Sequence, residues 1–198
     1  MAILVSSQTP DDSKNFWATS WAAFCDAEVL YGREFAVDVC AEPATTKCHS
    51  FIGHPMLYEQ ILDYRTGPEI RRLLRGLNCL ALDTLMPSIQ WPADWWCNPP
   101  FDLKEIFIQK AKYQRDCGRP GMMLLPYEPL TQWWRRSLSR DCIIYEPDGR
   151  YNFLERDGET MKQGANFGSA LVAFPTMHLN DSIRIPFTRG LTSPRIQP

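Results

Sequence analysis

The sequence predicts an α/β fold with a mostly parallel central sheet. Short, continuous apolar runs of strand length recur at Cys79-Leu-Ala-Leu82, Asp94-Trp-Trp-Cys97, Gly121-Met-Met-Leu-Leu125, Cys142-Ile-Ile-Tyr145 and Ala170-Leu-Val-Ala-Phe174. Helical patterns lie between several of them, and strands covered by helices on both faces read as continuous apolar runs. The 198 residues, 44% hydrophobic and 22% charged, suit a single globular domain and exclude wholesale disorder.

Taken in order, residues 1–16 read as a leader, polar over Ser6-Ser-Gln-Thr-Pro-Asp-Asp-Ser-Lys14. Trp17, Trp21, Phe24, Val29 and Leu30 fall at roughly helical spacing, which predicts a short helix over 17–31. Phe35-Ala-Val-Asp-Val-Cys40 alternates with a period of two and predicts a strand that Glu42-Pro43 ends. Residues 58–76 carry a helical pattern broken near Gly67-Pro68. Leu103, Ile106, Phe107, Lys110 and Ala111 describe an amphipathic helix. Asp102 is its expected N-cap, Glu105 completes a capping box, and Gly118 and Pro120 close it. Trp133 to Leu138 predicts another short helix, and residues 176–198, with three prolines among Arg184, Arg189 and Arg195, an extended tail.

Composition narrows the chemistry. No apolar run approaches the roughly 18 residues of a membrane span, and Met1-Ala-Ile-Leu-Val5 lacks the basic start of a secretory signal, so a cytoplasmic protein without a membrane partner is expected. The seven cysteines (25, 40, 48, 79, 97, 117, 142) are an odd number without any Cys-x-x-Cys, and there are three histidines. Reduced thiols and no metal are therefore expected. A net charge of −2 argues against coating nucleic acid by charge alone.

The sharpest feature is Asn98-Pro99-Pro100-Phe101, placed where a strand ends and a helix begins. Ligands of open α/β sheets bind outside the carboxyl ends of the strands. Two prolines remove N–H donors and leave a stiff loop of carbonyl acceptors. Asn98 adds a side-chain acceptor and Phe101 a flat face, a combination that suits a planar group bearing an NH2. The three histidines have no nucleophile or carboxylate arranged around them, so hydrolytic-triad chemistry is not supported.

The Asn98–Phe101 string resembles the catalytic loop of S-adenosylmethionine-dependent amino-group methyltransferases, and its surroundings resemble the phage-type Dam family of DNA adenine methyltransferases. The matching stretches run in family order: Trp17-Ala-Thr19, Phe35-Ala-Val-Asp38-Val-Cys-Ala41, Lys47-Cys48, Asp83-Thr-Leu85, Trp96-Cys-Asn-Pro-Pro-Phe101, Met123-Leu-Leu-Pro126, Trp133, Gly149-Arg-Tyr-Asn-Phe153 and Ala170-Leu-Val-Ala-Phe174. The resemblance implies a Rossmann-like methyltransferase domain over 17–175 that methylates adenine N6 in double-stranded DNA. It implies a catalytic Asn98, Pro99, Pro100 and Phe101. Trp17, Thr19, Asp38, Cys40, Ala41 and Asp83 would hold S-adenosylmethionine, with Ser20 standing where the family has a proline. Residues 53–78 look longer than the family's connection between its second and third strands. Arg65, Arg71, Arg72 and Arg75 in this helical insertion are candidate phosphate contacts, with a solvated helix balanced by Glu59, Asp63 and Glu69 as the other reading. Asn-Pro-Pro-aromatic loops also serve RNA bases and protein amides, and a binding protein that keeps the fold without the reaction is a further reading.

Overall fold

The computed structural model describes residues 15–55, 57, 67–74, 76–163 and 167–191. The strands are β1 (Ala18–Thr19), β2 (Val37–Ala41), β3 (Ser50–Gly53), β4 (Cys79–Ala81), β5 (Trp95–Cys97), β6 (Gly121–Pro126), β7 (Ile143–Pro147), β8 (Phe153–Leu154), β9 (Ser169–Phe174) and β10 (Ile183–Phe187). The α-helices are α1 (Trp21–Tyr31), α2 (Gly67–Leu74), α3 (Lys104–Asp116) and α4 (Gln132–Ser137).

Eight strands form one sheet in the order β10-β7-β9-β6-β5-β2-β3-β4. All neighbours are parallel except β9, which runs antiparallel between β6 and β7. The expected mostly parallel sheet is present. The chain builds outward from β2 to β4 and then returns to lay β5 on the other side of β2. The order therefore reverses between β2 and β5, where open α/β sheets place their ligands.

Apolar runs become strands here because both sheet faces are covered. Every residue of β2, β5, β6 and β9 is buried. Val37, Val39, Trp95, Cys97, Met123, Leu125 and Val172 pack with Phe107 of α3 and Trp134 of α4. Trp96, Met122, Leu124 and Leu171 pack on the opposite face with Phe24 and Ala27 of α1. Two adjacent tryptophans thus serve two separate cores, the period-two geometry of a strand. Gly121 is required by close approach, since a Cβ there would meet the Trp95 ring at 2.1 Å.

Several boundaries differ from the sequence reading. Trp17 precedes a two-residue strand, β1, rather than opening the first helix, and Ser20 caps α1 by accepting from Ala23 N–H at 3.4 Å. Ser20, in place of the family's proline, supplies the first turn with an acceptor. The break at Gly67-Pro68 is the start of α2, where proline's missing N–H costs nothing. The Asp102 capping box does not form. A 3-10 turn over Phe101–Leu103 precedes α3, and Asp102 exchanges hydrogen bonds with Asn15 at 3.0 and 3.3 Å instead. Within the expected extended tail, Ile183–Phe187 pairs in parallel with β7 as an edge strand.

Candidate active site

At the carboxyl ends of β2 and β5 a narrow recess is lined by Phe16, Trp17, Thr19, Asp38, Cys40, Glu42, His54 and Asn98, among others. β2 carries Asp38 and Cys40, Asn98 directly follows β5, and His54 directly follows β3. Trp17, just before β1, and Thr19 within it complete this part of the lining. Among the described residues β1 pairs with β8 alone, Ala18 opposite Leu154 and Thr19 opposite Phe153.

Asn98 is held at one end and open at the other. Its Nδ2 donates to the Trp17 carbonyl at 2.8 Å, which fixes the amide orientation because a carbonyl only accepts. Its Oδ1 is buried and has no hydrogen-bond partner among the described residues. Buried acceptors are ordinarily satisfied, so this atom is prepared for a donor. Pro99 and Pro100 are buried beside it. The Leu103 N–H bonds the Pro100 carbonyl at 3.0 Å and Lys104 Nζ reaches the Phe101 carbonyl at 2.9 Å, which locks the loop onto the start of α3.

Phe101 stands in an aromatic cluster. It meets Trp17, Phe153 and Phe167 edge-on, with ring centroids 5.9, 5.9 and 5.0 Å away. Trp17 lies parallel to Phe167 at 5.8 Å. Such edge-to-face packing fixes ring orientation while leaving Phe101 half-buried.

Asp38 is 4% exposed and accepts from the Cys40 and Lys47 backbone N–H groups at 3.3 and 3.2 Å. Burial outweighs those donors and pushes its carboxyl up to about 6. Burial likewise raises both the Cys40 and the Cys97 thiols, which hydrogen-bond each other; neither is a ready nucleophile. Glu42 is paired with the Arg156 guanidinium through both carboxylate oxygens. Arg156 lies 4.2 Å over one side of the Phe16 ring, which stacks on His54 at 5.2 Å. Burial lowers the His54 pKa, and its Nε2–H donates to the Asn15 carbonyl at 3.0 Å.

The recess gathers five of the expected site residues: Trp17, Thr19, Asp38, Cys40 and Asn98. Ala41 lies buried beneath, its carbonyl bonded to the His54 N–H. Asp83 sits between β4 and β5, accepting the Leu85 N–H at 2.8 Å, and does not line the recess. Arg71 and Arg72 lie on α2, where Arg72 is exposed; Arg65 and Arg75 fall outside the described residues. Sequence reasoning missed Phe16, Glu42, His54 and Arg156, together with the cluster partners Phe153 and Phe167. Glu42 carried a signal, four residues beyond Asp38 on the strand-end turn. Arg156 carried none, because it arrives from a hairpin over a hundred residues later. Among the described residues no group of three or more His, Cys, Asp or Glu side chains is placed to hold a metal.

The sheet order and the loop at its reversal point define a Rossmann-like enzyme of the methyltransferase type. A family model described as "DNA N-6-adenine-methyltransferase (Dam)" matches residues 80–188, more than half of the sequence, and the chain belongs to that family. It is 26% identical over 180 residues to a DNA N-6-adenine-methyltransferase of Haemophilus phage HP1 (strain HP1c1), covering 87% of this chain and 85% of the relative. A protein of the same description from Escherichia phage T1 is 26% identical over 188 residues, covering 83% of this chain and 64% of the relative.

Proposed function

We propose that this DNA adenine methyltransferase acts on an adenine turned out of duplex DNA, methylating its exocyclic N6 with S-adenosylmethionine as donor. Adenine N6 inside a duplex is out of reach of a buried methyl donor, so the base must leave the stack. The observation that carries this reading is Asn98, whose amide is anchored on the Trp17 carbonyl while its buried oxygen lacks a donor. An incoming NH2 supplies that donor. Accepting from the amine at Asn98 Oδ1 and the Pro99 carbonyl holds both N–H bonds and points the nitrogen lone pair away from the ring. Phe101 presents its face to the base.

The residues of the recess fit the proposed donor. Asp38 is a carboxylate suited to a cationic ammonium, Thr19 adds a hydroxyl, and Glu42 lines the recess already paired with Arg156. S-adenosylmethionine supplies a methyl on a positively charged sulfur. When bound, it would give that methyl up to the amine held by Asn98 and Pro99, leaving as the neutral thioether, and the amine's proton would pass to water. No enzyme nucleophile is required, in keeping with thiols pushed up by burial. Catalysis then consists of orientation and fixed dipoles.

The test is transfer of labelled methyl to unmethylated DNA, with the modified nucleoside identified after digestion. Wild-type protein is expected to yield N6-methyladenine. Asn98→Ala is expected to lose at least about a hundredfold in kcat, the usual scale for one oriented polar contact, while still binding the cofactor. Full activity in that variant overturns the mechanism.

A further inference from the structure

Away from the recess, a second concavity of about 260 Å³ lies where the end of α4 meets the start of β10. Its walls include Trp134, Arg135, Ser139, Ser182 and Arg184, with Asp181 as an acidic residue. Trp134 is 2% exposed, yet its indole Nε1–H has no acceptor among the described residues. A buried N–H normally finds one, and Trp is a donor only. The two arginines are weakly committed. Arg135 Nε reaches the Pro129 carbonyl at 3.4 Å, and Arg184 Nε is 3.9 Å from Glu146. Arg136 and Arg140 are exposed nearby in sequence. A buried N–H donor, two guanidinium groups and the Ser139 hydroxyl, against the carboxylates of Asp181 and Glu146 and with the Ser182 hydroxyl given to the Leu138 carbonyl, make a site for an oxyanion.

The concavity is also tied to the catalytic loop. Lys104 bonds the Phe101 carbonyl and lies 5.1 Å over the Trp133 ring, which packs edge-on against Trp134 at 5.4 Å. Resting on the DNA reading above, we propose that this concavity binds one backbone phosphate of the substrate duplex. The Trp134 indole N–H donates to it, and Arg135 and Arg184 neutralise it. Phosphate contacts fix position along the duplex without reading sequence. This one holds the DNA in register while the target base enters the Asn98–Phe101 loop.

The experiment follows the Trp134 indole resonance by 15N NMR, assigned by its loss in Trp134→Phe, during titration with inorganic phosphate and then with a short unmethylated duplex at low salt. Both ligands are expected to shift it. Arg135→Ala/Arg184→Ala, altered at exposed positions so that folding is retained, is expected to abolish the shift. Its KM for DNA should rise roughly tenfold with kcat unchanged, and the slope of log K against log salt should shrink by about one. An indole signal that ignores the duplex, or a double variant with wild-type KM and slope, overturns the proposal even where wild-type protein methylates DNA. Absence of any transfer to DNA by wild-type protein overturns the functional reading instead.

Discussion

Asp38 shows how one residue couples the recess to pH. Its carboxyl is pushed up from 3.8 to about 6 by burial, so between those values the folded chain binds a proton that the unfolded chain has released. Stability therefore falls as pH rises from about 4 to about 6. The contribution is on the order of 2–3 kcal/mol at one pKa unit per 1.36 kcal/mol. Denaturant titrations across that range should show the decline in wild type and lose it in Asp38→Asn. Cofactor affinity should move the opposite way, weakening below pH about 6 as Asp38 takes a proton and loses its attraction for an ammonium; calorimetry at pH 5 and pH 7.5 measures this. At this scale the candidate site was legible in part. Asn98 announces itself on a short local motif, whereas Asp38, Thr19 and Cys40 entered only through the resemblance to a family. His54 and Arg156 did not, since a lone histidine and a lone arginine acquire meaning only through the Phe16 ring between them.

Among the elements, those with an internal period could be read and those defined by a distant partner could not. β5 and β6 are legible because apolar residues fill both faces. β1 and β8 are two residues each, too short to carry a pattern, and exist because they pair across 134 and 136 residues, Thr19 with Phe153 and Ala18 with Leu154. β10 is mostly exposed and alternates weakly, so its attachment to β7 is a matter of backbone pairing. The α1 N-cap offers a clean test. Ser20→Ala should lower stability by about 0.5–1 kcal/mol, at the lower end for a cap because its hydrogen bond is long. Gly121→Ala should be far worse, more than about 2 kcal/mol, since the new methyl meets a fully buried Trp95 ring with nowhere to retreat. Thermal unfolding of both variants separates the two scales of cost.

Across the whole molecule, the ends of the described chain are joined through one carboxylate. Asp26 in α1 is fully buried and accepts from the Tyr151 hydroxyl at 2.6 Å and from the Gly190 and Leu191 N–H groups at 3.0 and 2.6 Å. Removing it strands a buried hydroxyl and two amides. Asp26→Ala should cost about 3 kcal/mol or more in denaturant unfolding. At permissive temperature it should leave KM for cofactor unchanged, because Asp26 does not line the recess. None of these contacts was visible in the sequence, where Asp26 is one acidic residue on a helix.

The antiparallel β9 also sets a timetable for synthesis. By Pro126 the ribosome has delivered β2, β5 and β6, which is the whole strand framework of the Asn98 loop, but β6 still has one bare edge. The strand that covers it ends at Phe174. At ~5–20 residues per second this interval lasts roughly 2–10 s. Throughout it the nascent chain exposes a six-residue apolar edge able to pair with a neighbour's. Chains stalled or truncated between 126 and 169 should therefore be recovered as aggregates rather than as a smaller folded unit, and the sheet around the Asn98 loop is covered only once Phe174 has been made.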